Sequence, residues 1–319
     1  MSQASQRHPH DPHLNLTVLR LLAAIDELGG VGAAARALGM TQPSASRSLA
    51  SLERHLGYAL LERTPRGSTL TRNGLAVVGQ ARAVLGAQER LERTVDALAS
   101  SGPARLELAA SRTIGEHLVP SWLGEQATSH PDTWVSFRFD NSANVARLVL
   151  DGTVPLGFVE DPTPLDLGAP HPQQGIVSET LCTDDLRLVV PPGHPWVGAT
   201  VGPRQLSGAR LIEREPGSGT RATLDAAVPQ RQRPLTELDS NAAIVAAVAA
   251  GVGPTVLSGL AVDRLLADGQ VVRVAWDGPA LSRPLRAIWL EGTRASREVR
   301  DFLTIARRQC ALRAQSLQG

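Results

Sequence analysis

Apolar positions in the first hundred residues recur at helical spacing, in three short runs and one long one. From Leu14 to Leu28 the period is helical, and Gly29-Gly30 supplies a stop. A short alanine-rich run, Ala33 to Leu38, predicts a second helix broken by Gly39-Met40-Thr41. Thr41 can cap a third, with Pro43 tolerated in its first turn because the early N–H groups there lack intrahelical partners. Ala45, Leu49, Leu52 and Leu56 then form one apolar stripe, opposite a face of Ser44, Arg47, Ser48, Ser51 and Arg54. Residues 58–70 read as a short hairpin with Arg63 before it and Arg66-Gly67 near its tip. From Thr71 to about Ala99 a long helix is expected. Val77, Ala81, Val84, Gln88, Leu91, Val95 and Leu98 alternate steps of four and three along it, a seam that asks for a partner helix, the alternative being a long surface helix packed on its own domain.

After Ser100-Ser101-Gly102-Pro103 the pattern changes to short β-rich runs separated by helical ones. Strands are expected at Arg105–Ala110, Val135–Asp140, Val154–Glu160, Leu186–Val190, Arg210–Arg214, Thr255–Leu257, Val271–Val274 and Leu285–Leu290. Helices are expected at Val145–Leu150, Ala242–Ala250, Val262–Ala267 and Ser296–Leu312. Such alternation predicts a largely parallel sheet covered by helices. The Pro-rich stretch Asp161–Gly175 reads as a surface loop.

Composition narrows the class. The 319 residues, 42 % hydrophobic and 20 % charged, suit two or three compact units. No apolar run reaches the ~18 residues needed to cross a bilayer, and the N-terminus lacks a signal peptide's apolar centre, so a cytoplasmic protein with no membrane partner is expected. The basic residues are all Arg, and residues 1–100 carry a net charge of +3 against −2 for the remainder. The His-rich segment His8-Pro9-His10-Asp11-Pro12-His13 reads as a disordered arm rather than a metal site. Cys182 and Cys310 lie far apart without metal or redox spacing. Gly-x-Ser-x-Gly, His-Glu-x-x-His and Cys-x-x-Cys are all absent, and the His residues have no ligand spacing, so no catalysis, metal or cofactor is expected.

The third helix carries the chemistry of a helix that enters a DNA groove. Short polar residues (Ser44, Ser46, Ser48, Ser51) allow close approach, and Gln42, Arg47 and Arg54 supply long donors. Gln can read adenine and Arg guanine through paired hydrogen bonds, while Arg63, Arg66 and Arg72 stand where a wing meets phosphates. An amphipathic bundle with a solvated Arg face shares the same periodicity. The spacing of Ala33-Ala34-Ala35, Leu38, Gln42-Pro43-Ser44, Ser46, Leu49, Leu52-Glu53 and Leu56-Gly57 resembles the N-terminal domain of LysR-type transcriptional regulators. So do Leu60-Leu61, Arg63, Leu70-Thr71 and Gly74. Gly30 and Gly32 depart from the family's usual Ser and Thr, and Leu61 from its Phe.

The resemblance continues more loosely. Ser111-Arg112-Thr113-Ile114-Gly115 with Leu118-Val119-Pro120, and Pro155–Glu160, resemble the start and a central strand of the family's effector domain. Glu215–Arg221 resembles the EGSGTR turn of a subgroup including carbon-fixation and sulfur-assimilation regulators. The implied fold class is mixed: a winged helix-turn-helix, a long linker helix, then a two-lobed α/β effector domain like periplasmic solute-binding proteins. The expected boundaries are an arm at 1–13, the DNA-binding domain at 14–73, a dimerisation helix at 74–99, a hinge at 100–103 and the effector domain at 104–319. Its lobe I spans about 104–180 and 276–319, and lobe II about 181–275.

Within that domain Ser111 and Thr113, and Ser218-Gly219-Thr220, each follow a strand and precede a helix. Such turns present hydroxyls and free N–H groups to an anion. Asn141 and Ser142 can complete the lining, and Arg221 either balances effector charge or pairs with an acid such as Glu213. The resemblance implies a regulator controlled by a small anionic effector, with double-stranded DNA (an inverted-repeat operator), a second copy or a dimer of dimers, and RNA polymerase as partners. A solute-binding protein or enzyme with a helical appendage is the alternative reading.

Overall fold

The computed structural model describes residues 14–64, 67–99, 104–161, 175–291 and 296–316. The expected N-terminal arm, the hinge at 100–103, Arg66 and most of the Pro-rich loop lie outside them. The chain divides into two compact units, residues 1–99 and nearly all of the rest.

In the first unit, α1 (Leu16–Leu28), α2 (Val31–Ala37) and α3 (Gln42–Leu56) precede an antiparallel hairpin of β1 (Leu61–Thr64) and β2 (Gly67–Leu70), and α4 (Arg72–Ala99) follows. The expected second helix begins two residues earlier than its alanines suggest, because Gly30 takes the cap position. The stripes Val18, Leu19, Leu21, Leu22 and Ile25 of α1 and Ala45, Leu49 and Leu52 of α3 meet Ala34 and Ala35 of α2 in one core. Burying a Leu or Ile side chain stabilises by about 1.5–3 kcal/mol, and this shared core holds helices too short to persist alone.

The seam expected along α4 is divided. Val78 and Ala81 are buried in the unit's own core, with Val77 and Leu85 packed beside them. Arg82 pairs with Asp26 at 2.9 Å, and the Gln88 amide accepts a hydrogen bond from Arg20 of α1 and donates one to Glu92. Val84, Leu91 and Val95 stay exposed. A straight helix turns every 3.6 residues, so a 3.5-residue stripe drifts around it; here its first turns face α1 and its later ones do not.

The second unit begins with β3 (Ala104–Ser111), α5 (Arg112–His117), α6 (Val119–Ser129), β4 (Thr133–Asp140), α7 (Ser142–Leu150) and β5 (Gly157–Glu160). Next come β6 (Ile176–Val190), β7 (Thr200–Val201), α8 (Pro203–Ser207), β8 (Ile212–Arg214), α9 (Gly219–Ala227), β9 (Thr236–Leu238), α10 (Asn241–Ala249), β10 (Thr255–Ser258) and α11 (Gly259–Ala267). The chain closes with β11 (Val272–Arg273), β12 (Ala275–Trp276), β13 (Ser282–Leu290) and α12 (Arg297–Ser316). Among the described residues the strand order is β4-β3-β5-β13-β6-β10-β8-β9, with β11 also on β6 and a separate β12–β7 pair.

The sheet is mixed, not largely parallel as the alternation suggested. β3 pairs in parallel with β4 and β5, and β8 with β9 and β10, but β13 and β6 run antiparallel to each other and to their neighbours. These two strands carry the chain between lobes, so they must run in opposite senses. β6 begins ten residues before the expected strand, at Ile176; its half-exposed first half has no continuous apolar run to announce it. It leaves β13 at Asp185 and pairs with β10 from Leu186, where Leu186 N–H donates to the Leu281 carbonyl at 2.7 Å. Lobe I therefore ends at Asp185 and resumes at Ser282, a few residues later on each side than the sequence suggested. Separate apolar clusters fill lobe I around Trp122, Phe158 and Phe302, and lobe II around Leu188, Leu206 and Leu224.

Candidate functional site

The first unit builds its exposed face from the cap upward. Thr41 Oγ1 accepts from Ser44 N–H at 3.4 Å, and Pro43 sits in the first turn of α3. Gln42, Pro43, Ser46, Arg47 and Arg54 are exposed, and Ser44 and Ser51 are half-buried at the edges of that face. Ser48 donates back to the Ser44 carbonyl at 3.2 Å. Among the described residues neither Arg47 nor Arg54 forms an ion pair, and an exposed guanidinium with no acid beside it can meet phosphate or a base edge. Arg63 lies on the backbone of β1, its side chain outside the description, as is Arg66.

The hairpin is fixed by Glu53, Thr71 and Gly74, three positions of the family's sequence pattern. Glu53 accepts from Leu60 and Leu61 N–H at 2.7 and 3.0 Å, tying the end of α3 to the wing. Thr71 Oγ1 donates to the Ala59 carbonyl and accepts from Gly74 N–H. A Cβ on Gly74 would lie 2.1 Å from the Leu60 carbonyl oxygen, so only glycine lets α4 start there.

In the second unit the two nominated turns converge on Glu160, at the end of β5. Thr113 at the start of α5 hydrogen-bonds its carboxylate, and Arg283 of β13 reaches it at 2.9 Å. Arg283 also holds Asp184 through Nε and Nη2 at 3.0 and 2.8 Å and donates to Thr220 Oγ1 at 2.9 Å. Ser258 donates to Asp184 at 2.8 Å. The N-terminus of α9 abuts the other side of Glu160: a Cβ on Gly219 would fall 1.5 Å from its carbonyl oxygen. All of these charged groups are buried. Burial holds the Glu160 carboxyl above the usual carboxylate range and neighbouring Asp184 adds to this, while Arg283, Arg214 and the Thr113 hydrogen bond oppose it.

Ser111 and Ser218 stand at the N-caps of α5 and α9, are fully buried, and have hydroxyls with no hydrogen-bond partner among the described residues. The other nominated groups are engaged. Ser142 donates to the Glu160 carbonyl and accepts from its N–H, so it staples α7 to β5 instead of lining a cleft. Asn141 caps α7 through Asn144 N–H, and its amide reaches the Pro216 carbonyl across the lobes. Arg221 pairs with Glu213 at 2.9 Å, which decides between the two roles left open for it.

Arg283, Asp184, Arg214 and Asn241 were missed. Arg283, Asp184 and Arg214 are charges on strands, which periodicity treats as an interruption, and Asn241 is an uncharged residue at the start of α10. Arg214 grips Glu215 with two bonds and donates to Asn241, whose amide donates to Thr113 and Glu116 on the opposite lobe. Arg112 reaches Asp239, and Ala143 N–H the Gly217 carbonyl, so the lobes touch at several points. A groove of about 350 Å³ opens between α5 and α10–α11, with Asn241, Glu116, Val245 and Leu265 in its lining.

Residues 16–75 match the bacterial regulatory helix-turn-helix proteins of the lysR family, and residues 100–311 match the LysR substrate binding domain. The chain belongs to the LysR family. An HTH-type transcriptional regulator of Mycobacterium tuberculosis is 38 % identical to this LysR-type chain over 91 % of it and 95 % of the relative. Among solved structures, full-length CbnR complexed with its target DNA covers 93 % of the chain and 100 % of its own, at 23 % identity and TM-score 0.55. The Synechocystis CcmR regulatory domain in complex with 2-PG is 25 % identical, covering 64 % of the chain and 96 % of its own with TM-score 0.56. This LysR-type protein is therefore a DNA-binding transcriptional regulator with an effector-binding domain, not an enzyme or a solute-binding protein with an appendage. No helix among its described residues is long and apolar enough to cross a membrane.

Proposed function

We propose that this regulator binds an inverted-repeat operator as a dimer, or a dimer of dimers, and changes its output when a small anionic metabolite enters the cleft between its effector lobes. The observation that carries the ligand reading is the pair of buried hydroxyls without a partner among the described residues, Ser111 and Ser218, one from each lobe. A buried hydroxyl without a partner costs about 1–3 kcal/mol, so an acceptor-rich ligand that satisfies both is strongly favoured. Burial disfavours the charged form of the Glu160 carboxyl, which lessens its repulsion of an anion nearby. The complex of CcmR with 2-PG supports the same class of ligand.

For DNA, exposed Gln42, Arg47 and Arg54 read base edges, Ser44, Ser46 and Ser51 allow close approach, and Pro43 sets the first turn. Arg63 and Arg66 of the hairpin contact phosphate. The exposed Val84, Leu91 and Val95 of α4 support self-association, and two-fold symmetry then asks for half-sites about one helical turn, or a multiple, apart. RNA polymerase is the partner through which such a dimer acts.

Two measurements test this. Thermal shift against small carboxylates, phosphates and sulfur oxyanions should find a stabilising anion whose effect disappears in Ser111→Ala and Ser218→Ala. Stabilisation by neutral solutes alone would refute the anionic ligand. Gel shift with DNA upstream of the gene should show salt-sensitive binding weakened by Arg47→Ala, and binding indifferent to that change would remove α3 from the interface.

A further inference from the structure

Cys182 stands on β6 and Cys310 in the second half of α12, with nothing in their sequence positions to join them. The fold brings them together. Cys310 is buried in the lobe I apolar cluster, Cys182 is half-buried at its margin, and the two thiols share a hydrogen bond. The helix is clamped to the strand beside them. Arg307, one turn before Cys310, donates through Nε at 2.7 Å to Glu179, three residues before Cys182. From the same turn Arg308 and Gln309 both meet Glu125 of α6. Two cysteines packed in and against one apolar cluster, on elements clamped by flanking polar pairs, have the neighbours a bond between them needs.

We propose that Cys182 and Cys310 form a reversible disulfide within one chain, with Cys182 the thiol that reacts first with a hydroperoxide and Cys310 the thiol that resolves it. The roles follow from the surroundings. Solvent reaches Cys182 but scarcely reaches Cys310. The Cys310 hydrogen bond and the nearby Arg313 favour a thiolate at Cys182, against burial and Asp184, and its net shift is downward. Cys310 is held upward by that same bond and by burial, so it keeps its proton.

The chemistry balances. The Cys182 thiolate attacks one peroxide oxygen and the O–O bond breaks. This leaves a sulfenic acid, while the second oxygen departs as alcohol or water after taking a proton. The Cys310 sulfur then attacks the Cys182 sulfur. The S–O bond breaks, and the departing hydroxide takes the Cys310 proton as water. Two thiols are oxidised and one hydroperoxide is reduced. The resulting bond ties α12 to β6 two residues from Asp184, on the strand that passes between the lobes.

The test uses the full-length reduced protein treated with one equivalent of hydrogen peroxide, then alkylated and mapped without reduction. A cross-linked pair of Cys182 and Cys310 peptides in most chains, lost on adding dithiothreitol, is the expected result. Cys310→Ser should accumulate a dimedone-reactive sulfenic acid at Cys182, whereas Cys182→Ser should leave Cys310 unmodified. The proposal fails if both thiols remain alkylatable after unfolding the treated protein, if the bridge joins two chains, or if the sulfenic acid forms at Cys310. The wild-type map decides the bond even where a serine variant fails to fold.

Discussion

Arg283 touches more of the cleft's machinery than any nominated residue: two carboxylates and Thr220 meet its guanidinium. Removing it would leave Glu160 and Asp184 buried without their ion-pair partner. Arg283→Ala should therefore lose about 3–5 kcal/mol, read as a fall in the urea midpoint of tryptophan fluorescence. Glu160 sets a pH dependence whose sign follows from its raised carboxyl. The folded state binds that proton more tightly than the unfolded chain, so this group's contribution to stability falls as pH rises from the ordinary carboxylate range through the folded value. Glu160→Gln should flatten the part of the stability profile that lies above the ordinary carboxylate range, and an unchanged slope would remove Glu160 as its source. Glycine contacts give a paired test. Gly219→Ala drives a Cβ into the Glu160 carbonyl and should cost about 1–3 kcal/mol. Gly124→Ala, in open space on α6, should stabilise by about 0.5–1 kcal/mol.

At the scale of elements, α3 and α4 divide the work of the first unit. Helix α3 depends on its cap, and Thr41→Ala should cost about 1 kcal/mol of that unit's stability. Helix α4 spends its first turns on its own core and exposes Val84, Leu91 and Val95 beyond them. If those residues meet a second copy, Leu91→Asp and Val84→Asp should each weaken self-association by on the order of tenfold or more, measured by sedimentation equilibrium. Unchanged association would move the interface elsewhere. The helices were legible because their stripes and caps are local: Ala45, Leu49 and Leu52 follow a period, and Thr41 and Gly57 mark the ends. The long β6 was not, since its pairing with β13 and then β10 is set by distant strands.

For the whole molecule, the two compact units have separate apolar cores. Trp122, Trp134, Trp196, Trp276 and Trp289 all fall in the second, and the single tyrosine, Tyr58, in the first. Tryptophan fluorescence should therefore report the effector-binding unit alone, while far-ultraviolet circular dichroism reports both. An effector ligand should raise the fluorescence midpoint and leave the helical transition of the first unit in place. Coincident shifts in both signals would show the units unfolding as one.

The sequence by itself determined the helices and hairpin of the first unit, the exposed face of α3 with Gln42, Arg47 and Arg54, and the two turns at Ser111 and Ser218. Each rests on short-range rules, namely a helical period, a cap or a strand-to-helix turn. It could not decide which polar groups are free. Ser142 and Asn141 look as available in sequence as Ser111, but the Glu160 backbone engages Ser142, and Asn141 caps α7 and donates to the Pro216 carbonyl. Only the tertiary structure set Arg283 against Glu160 and Asp184, gave Arg221 to Glu213, and placed Cys182 against Cys310. The reason is the same in each case. A buried charge or thiol is defined by its neighbours in space: eight residues away for Arg221 and Glu213, and across a chain that passes twice between lobes for Arg283 and Glu160 or Cys182 and Cys310.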